Sequence, residues 1–239
     1  MKRAFVRALW GIHDKSHRVL RRLYRVDQNI LQLKKNKFNE PFITYVFGQE
    51  NYDSLQKLGF ENLILLNKEP HSWDPLKFQY RHKLEILRYA MEVDGYDEIV
   101  HMDWDCFPTK KLPIDFWDVL GKKEKFQACL MQYHRPKCLW RETDQRKLSN
   151  GGYVYIRDKN VPSDIIKLWE KTDKRFLISA EPAMSQYTDN LVGGWKGIEK
   201  YWELFEPESC RLNRCSVFSK DPTKTKPNLC FVHYQGGRN

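Results

Sequence analysis

The spacing of apolar and polar positions along the chain is that of an α/β protein. Arg3 to Trp10, rich in Phe, Val, Leu and Trp, predicts a first strand, with Gly11 to Asp14 as its turn. Ser16 has the character of an N-cap. Val19, Leu23, Val26, Ile30 and Leu33 then follow at steps of four, three, four and three residues, the stripe of an amphipathic helix. Pro41 to Phe47 predicts a second strand closed by Gly48, and Asn51 to Leu58 a short helix that Gly59 ends. Asn62 to Leu66 follows as a third, fully apolar strand. Continuous apolar strands alternating with helices are what a parallel sheet covered on both faces requires. After a loop from Lys68 to Pro75, Tyr80, Leu84, Leu87 and Met91 mark one side of a longer helix. Arg81/Glu85 and Arg88/Glu92 stand on it as i,i+4 pairs, and Asp94-Gly95 ends it.

The next apolar run, Ile99 to Met102, leads into Asp103-Trp104-Asp105, and Pro108 is expected to stop its pairing. Ile114 to Leu120 predicts a short helix, Gln127 to Met131 a strand, and the polar, basic stretch from Tyr133 to Ser149 a loop over the site. Asn150 to Ile156 returns to strand, with a glycine pair at its mouth. Ser163 then caps a helix carrying Ile165, Ile166, Leu168 and Trp169. Pro182 to Leu191 is helical until Gly193-Gly194 breaks it, Pro207 to Pro227 is irregular, and Leu229 to His233 is a last short strand. No repeat, linker or composition break divides the chain. The expectation is one α/β domain over residues 1–239, with a mostly parallel sheet, flanking helices and the aspartate strand central.

Composition narrows this picture. The 239 residues are 41% hydrophobic and 30% charged, which excludes a disordered chain and leaves room for a sizeable core. No apolar run approaches the roughly 20 residues that span a bilayer, and Arg7 interrupts the N-terminal segment before it could serve as a signal peptide. The six cysteines are scattered, so a soluble, reduced, cytoplasmic protein is expected. A net charge of +10 points to a phosphate-bearing partner: a nucleotide, a nucleic acid or an anionic surface. Eight Lys or Arg against Asp27 alone between Lys15 and Lys37 make that helix either a solvated face or a polyanion contact.

The candidate chemistry lies at the end of the aspartate strand. Residues two apart on a strand share a face, so Asp103 and Asp105 would point one way and Trp104 the other. Two carboxylates so close repel unless a cation or a proton relieves them. Hard divalent ions such as Mn²⁺ or Mg²⁺ do so with oxygen ligands they commonly share with phosphates. Alone, a D-x-D is more often an acidic turn. Its setting adds weight, because open α/β sheets bind ligands beyond the carboxyl ends of their strands. Arg81 and Lys83 open the preceding helix within reach of a pyrophosphate, or are plain surface charges. Asn150-Gly151-Gly152 lets a ligand approach the backbone, or is a plain turn. Trp10, at the end of the first strand, belongs to the same donor side.

Tyr80-Arg-His-Lys-Leu-Glu-Ile-Leu, His101-Met-Asp-Trp-Asp, Asn150-Gly-Gly-Tyr-Val-Tyr-Ile, Asp189-Asn190 and His233-x-x-Gly236, in that order, resemble the GT-A fold glycosyltransferases. The likeness is to small retaining enzymes with a D-x-D metal site and a C-terminal H-x-x-G. It implies a GT-A-like, Rossmann-like domain in which residues 1–110 mainly bind a nucleotide-sugar and residues 130–239 mainly face the acceptor. It implies that Asp103, Asp105 and His233 hold Mn²⁺ (or Mg²⁺) on the diphosphate of a nucleotide-sugar, and a UDP-sugar is the expected donor. Gly236 belongs to the same tail. The lysine and tryptophan that follow H-x-x-G in that family have no counterpart before Arg238-Asn239, and Arg238 is the expected substitute on the phosphate.

Sugar transfer leaves a diphosphate whose developing charge a divalent ion and nearby cations stabilise. An inverting enzyme also needs a carboxylate base near the acceptor hydroxyl; Asp189 is the first candidate and Glu181 the second, and either is equally a helix cap. The basic stretches, with Tyr133, Trp140 and Tyr153 to stack on a base or sugar, extend the acceptor candidates to DNA carrying a modified base, beside glycans, glycolipids and proteins. Cys210, Cys215, Cys230 and His233 form a looser zinc alternative. A nucleic-acid binder without activity leaves the paired aspartates unexplained. A two-metal nuclease or nucleotidyltransferase needs further convergent carboxylates.

Overall fold

The structure is a computed structural model of the chain. It describes residues 1–9, 38, 40–66, 81–103, 106–108, 111–112, 114, 116–121, 126–132, 147–171, 180, 183–184, 186–187 and 231–233, several of the later strands by backbone alone. The sequence-predicted helix after Ser16, the segment from Trp195 and the irregular tail lie outside these residues.

Six strands form the main sheet in the order β3-β2-β1-β4-β7-β6: β1 Arg3–Leu9, β2 Phe42–Phe47, β3 Leu63–Leu66, β4 Glu98–Met102, β6 Phe126–Gln132 and β7 Lys147–Ile156. The pairs β1/β2, β2/β3 and β1/β4 are parallel, while β7 runs antiparallel to both β4 and β6. The sheet is thus mostly parallel, with the aspartate strand in its interior, as the apolar runs predict. A second sheet of two short strands pairs β5 Cys106–Pro108 with β8 Phe231–His233.

Strand alternation sorts the sheet into two faces. Ala4, Val6 and Ala8 of β1, Tyr45 and Phe47 of β2, Ile99 of β4 and Val154 and Ile156 of β7 build one face of the core. Leu84, Ile86, Leu87, Ala90 and Met91 of helix α2 (Arg81–Glu92) pack on it, with Val161, Ile165, Ile166 and Trp169 of helix α4 (Asn160–Lys171). Full burial of each large apolar side chain there contributes roughly 1.5–3 kcal/mol. Leu9 and Val46 project to the other face, where they meet Leu55 of helix α1 (Gln49–Lys57) and Phe60. Phe5 lies on that face too, against Phe42, and against Phe116 and Trp117 of helix α3 (Phe116–Gly121).

Among the described residues the glycines read as stops behave as stops, while Gly193-Gly194 lies outside them. Gly59 takes φ 80°, its amide bonds the Gln56 carbonyl at 2.9 Å, and the Phe60 amide bonds that of Leu55 at 3.1 Å. This is a Schellman cap, closed by the contact of Phe60 with Leu55. Gly95, at φ 67°, turns the chain out of α2 towards β4. Arg81–Glu85 at 2.8 Å and Arg88–Glu92 at 3.2 Å are the i,i+4 pairs read from the sequence.

Several boundaries shift by a residue or two, and three differ from expectation for a visible reason. Helix α4 begins at Asn160, ahead of Ser163, because the Asp158 carboxylate accepts the Asn160 amide at 2.9 Å. Ser163 Oγ instead donates to Glu92 Oε1 at 2.6 Å, tying α4 to α2. Strand β7 begins at Lys147, drawn forward by pairing with Gln132 of β6, so the intervening loop is shorter than predicted. Pro108 does not end pairing: it sits opposite Phe231 in the two-stranded sheet, where a missing N–H costs little.

Candidate functional site

Strand β4 pairs with β1 only as far as His101 and with β7 as far as Met102. Asp103 follows at the carboxyl end of the sheet, on the same side of the strand as Ile99 and His101, the side α2 covers. From the first turn of α2, Lys83 reaches this point. Its Nζ stands 2.7 Å from Oδ1 and 2.9 Å from Oδ2 of Asp103, spanning both oxygens. The Asp103 side chain is 22% exposed and that of Lys83 8%, so the carboxylate is the member of the pair that faces solvent. His101, buried at 1%, brings Nε2 to 3.7 Å from the same Oδ1.

Arg81 opens the same helix but is engaged elsewhere. Its Nε bonds Glu85 Oε1 and its Nη1 bonds Glu170 Oε1 of α4, both at 2.8 Å, and its guanidinium lies over Trp169, 5.1 Å from the ring centroid. Cation, carboxylates and aromatic face together hold α2 to α4. The two basic residues paired by the sequence reading are therefore differently placed: Lys83 lies against Asp103, and Arg81 between two helices.

The backbone brings two further segments here. The β4/β7 register ends at Met102↔Tyr153, so Gly151 and Asn150 run on past the carboxyl end of β4, beside the start of the Asp103 segment. Along β6 the register jumps from Ala128↔Val154 to Cys129↔Asn150, leaving Gly151, Gly152 and Tyr153 in an irregularity of the ladder. Bulges of this kind recur next to active sites, and two residues without a Cβ suit one. The second segment is β8, in which His233 is the Cα partner of Cys106. Cys106 is three residues beyond Asp103 in the chain, so this pairing sets the backbone of His233 opposite a residue close in sequence to Asp103.

Asp105, Trp10, Glu181, Asp189, Gly236 and Arg238 lie outside the described residues, as do Cys210, Cys215 and Cys230, and His233 is placed by its backbone. Among the described residues no three His, Cys, Asp or Glu side chains converge as a metal would require. The residue that sequence reading passed over is His101. Its signal was the alternation that already placed Asp103 and Asp105 together, applied one step earlier.

No protein-family model matches the sequence, and no curated protein matches it. Solved structures do. An active-site mutant of LgtC superposes with a TM-score of 0.54 over 99% of this chain and 88% of its own, at 13% identity. The shared architecture is the GT-A fold. A putative glucose-1-phosphate thymidylyltransferase from Bacillus anthracis, in complex with a sucrose, matches 91% of this chain and 98% of its own, with a TM-score of 0.47 and 13% identity. The glycosyltransferase GlyE of Streptococcus pneumoniae TIGR4 matches 98% of this chain and 54% of its own, with a TM-score of 0.47 and 14% identity. Among the described residues no helix is long and apolar enough to cross a membrane.

Proposed function

We propose that the protein is a metal-dependent glycosyltransferase that moves a sugar from a nucleotide-sugar, a UDP-sugar foremost, to an acceptor hydroxyl. The observation that carries this reading is the convergence at the carboxyl end of β4. Asp103 leaves the sheet there, and the β5/β8 pairing sets the backbone of His233 opposite Cys106, three residues beyond Asp103 in the chain. In a GT-A fold this is the crevice outside the strand ends where α/β sheets bind ligands.

The donor set of Asp103, Asp105 and His233, two carboxylates and an imidazole, suits Mn²⁺ or Mg²⁺. Such an ion, when bound, acts as a Lewis acid on the departing diphosphate. The chain's own residues do the rest. Lys83 supplies a positive charge at the same point, and Arg238 would add another on the phosphate. The backbone at Asn150-Gly151 admits the sugar close to the strand end. Asp189, or Glu181 after it, is proposed to handle the acceptor proton. On this reading residues 1–110 mainly serve the donor and residues 130–239 the acceptor.

For the acceptor, the net charge of +10 favours a polyanion, with a modified base in nucleic acid as the leading member of that class. Transfer to duplex DNA should then weaken steeply with salt, with a log–log slope of roughly −0.9 per phosphate neutralised. Transfer to a free oligosaccharide, indifferent to salt, would move the acceptor to glycans and leave the donor reading intact. For the donor, a panel of nucleotides with Mn²⁺ is read by thermal shift, since a ligand bound at 100 times its Kd stabilises by about 2.7 kcal/mol. A rise with UDP or a UDP-sugar supports the reading. No rise with any nucleotide contradicts it.

A further inference from the structure

We infer that Lys83 is the built-in counter-ion of the Asp103 site and that it couples metal and nucleotide binding, so that each ligand binds well only when the other is present. The inference rests on the donor-site reading above and adds a regulatory property to it. One ammonium, at 2.7 and 2.9 Å, spans both oxygens of the carboxylate proposed as a metal ligand. The side chains are 8% and 22% exposed, so this contact is partly withdrawn from water, where charge–charge terms are stronger than at an open surface.

Consider each ligand arriving alone. A divalent cation meets a carboxylate already neutralised at contact distance, and the ammonium beside it repels the newcomer. A diphosphate meets Lys83, but also the negative charge that Lys83 is holding. With both present, Lys83 exchanges Asp103 for a phosphate oxygen, and the carboxylate it releases faces the metal. No like charges are then left in contact. A lysine suits this exchange because its charge sits on a flexible four-carbon stem with three rotatable donors. Arg81, two residues away, is fixed by Glu85, Glu170 and Trp169 and makes no such swing.

Isothermal titration with Mn²⁺ alone, UDP alone and each in the presence of the other tests this, corrected for Mn²⁺–UDP association in solution. Wild type, Lys83→Met and Lys83→Arg are compared, with circular dichroism to confirm folding. In the wild type each ligand should tighten the other by the same factor, about tenfold or more. Lys83→Met should bind Mn²⁺ alone more tightly than wild type, bind UDP alone more weakly, and show a mutual effect at least about threefold smaller than wild type, the remainder being the direct attraction of metal and diphosphate. Lys83→Arg, which keeps the charge, should restore most of the coupling. If Lys83→Met fails to fold, Lys83→Gln takes the same readings. Full coupling without the lysine charge overturns the inference and leaves the donor site standing, as does a wild type that binds the two ligands independently. A wild type that binds neither ligand, separately or together, overturns the donor-site reading and the inference with it.

Discussion

Strand β4 carries a carboxylate partnered by a cation at each end, and the two pairs differ in where the cation comes from. At the amino end Glu98 accepts from Arg3 Nε at 2.5 Å and from Tyr155 Oη at 2.9 Å. Both partners belong to flanking strands of the same sheet; Arg3 is the register neighbour of Glu98. At the carboxyl end Asp103 lies past the last paired residue and takes its cation from α2, in another layer. The Glu98 side chain is 5% exposed and that of Asp103 22%. A carboxylate satisfied from within its own sheet has only a structural part to play. One held from across a layer, by the flexible side chain of a lysine, can exchange that partner for a ligand. Charge alone does not tell these pairs apart.

The largest stability effect belongs at the amino end. Glu98→Ala strands the Tyr155 hydroxyl and removes the Arg3 pair, and should cost about 2–4 kcal/mol, discounted for the part-exposed arginine. A thermal melt should show it, a fall of about 5–10 °C in a chain of this size, while the affinity for UDP with Mn²⁺ stays at the wild-type value. Lost affinity in a folded Glu98→Ala protein would erase the contrast between the two ends.

Arg81→Ala comes next. It removes two ion pairs and a stack on Trp169, one carboxylate being half-exposed, and should destabilise by about 1–2 kcal/mol in urea. Donor affinity should hardly change. A donor defect larger than the stability loss would return Arg81 to the phosphate side, where the sequence also allowed it.

Tyr155→Phe should cost least at neutral pH, about 1 kcal/mol for the lost hydrogen bond. Its signature is at alkaline pH. Burial, then the hydrogen bond to Glu98 and that group's charge, raise the Tyr155 pKa above its ordinary 10.0. A folded pKa above the unfolded one contributes stability that is complete below about pH 10 and lost as pH rises further. Urea unfolding from pH 7 to 11 should therefore decline less steeply above pH 10 in Tyr155→Phe than in wild type. Parallel declines would mean that the amino-end network does not hold this tyrosine neutral.

Much of this arrangement was legible in the sequence, because local pattern decides it. Buried parallel strands are predominantly apolar, so β1 to β4 announce themselves despite the buried Arg7, Thr44 and His101 within them, and Gly59 and Gly95 mark the helix ends they make. What was not legible depends on partners remote in the chain. Cys106 opposite His233 is a pairing across more than half the sequence, and no spacing within either segment encodes it. Arg81 and Lys83 looked equivalent as neighbouring cations. On the helix they point about 200° apart, which sends one towards α4 and the other towards the strand end. The start of α4 was misplaced for a similar reason: Ser163 is a good cap by type, but Asp158 takes the cap and leaves the serine free to meet Glu92.

Nucleotide release from a UDP-sugar is the most direct test of the central claim that the carboxyl end of β4 is a metal-dependent sugar-transfer site. It should be followed in wild type, Asp103→Asn and Glu98→Ala, with and without Mn²⁺. Wild type should release UDP only with the metal. Asp103→Asn should lose at least about a hundredfold in rate while remaining folded, and Glu98→Ala, once folded, should keep most of its activity. Metal-independent release, full activity in Asp103→Asn, or release of pyrophosphate in place of UDP would contradict the claim.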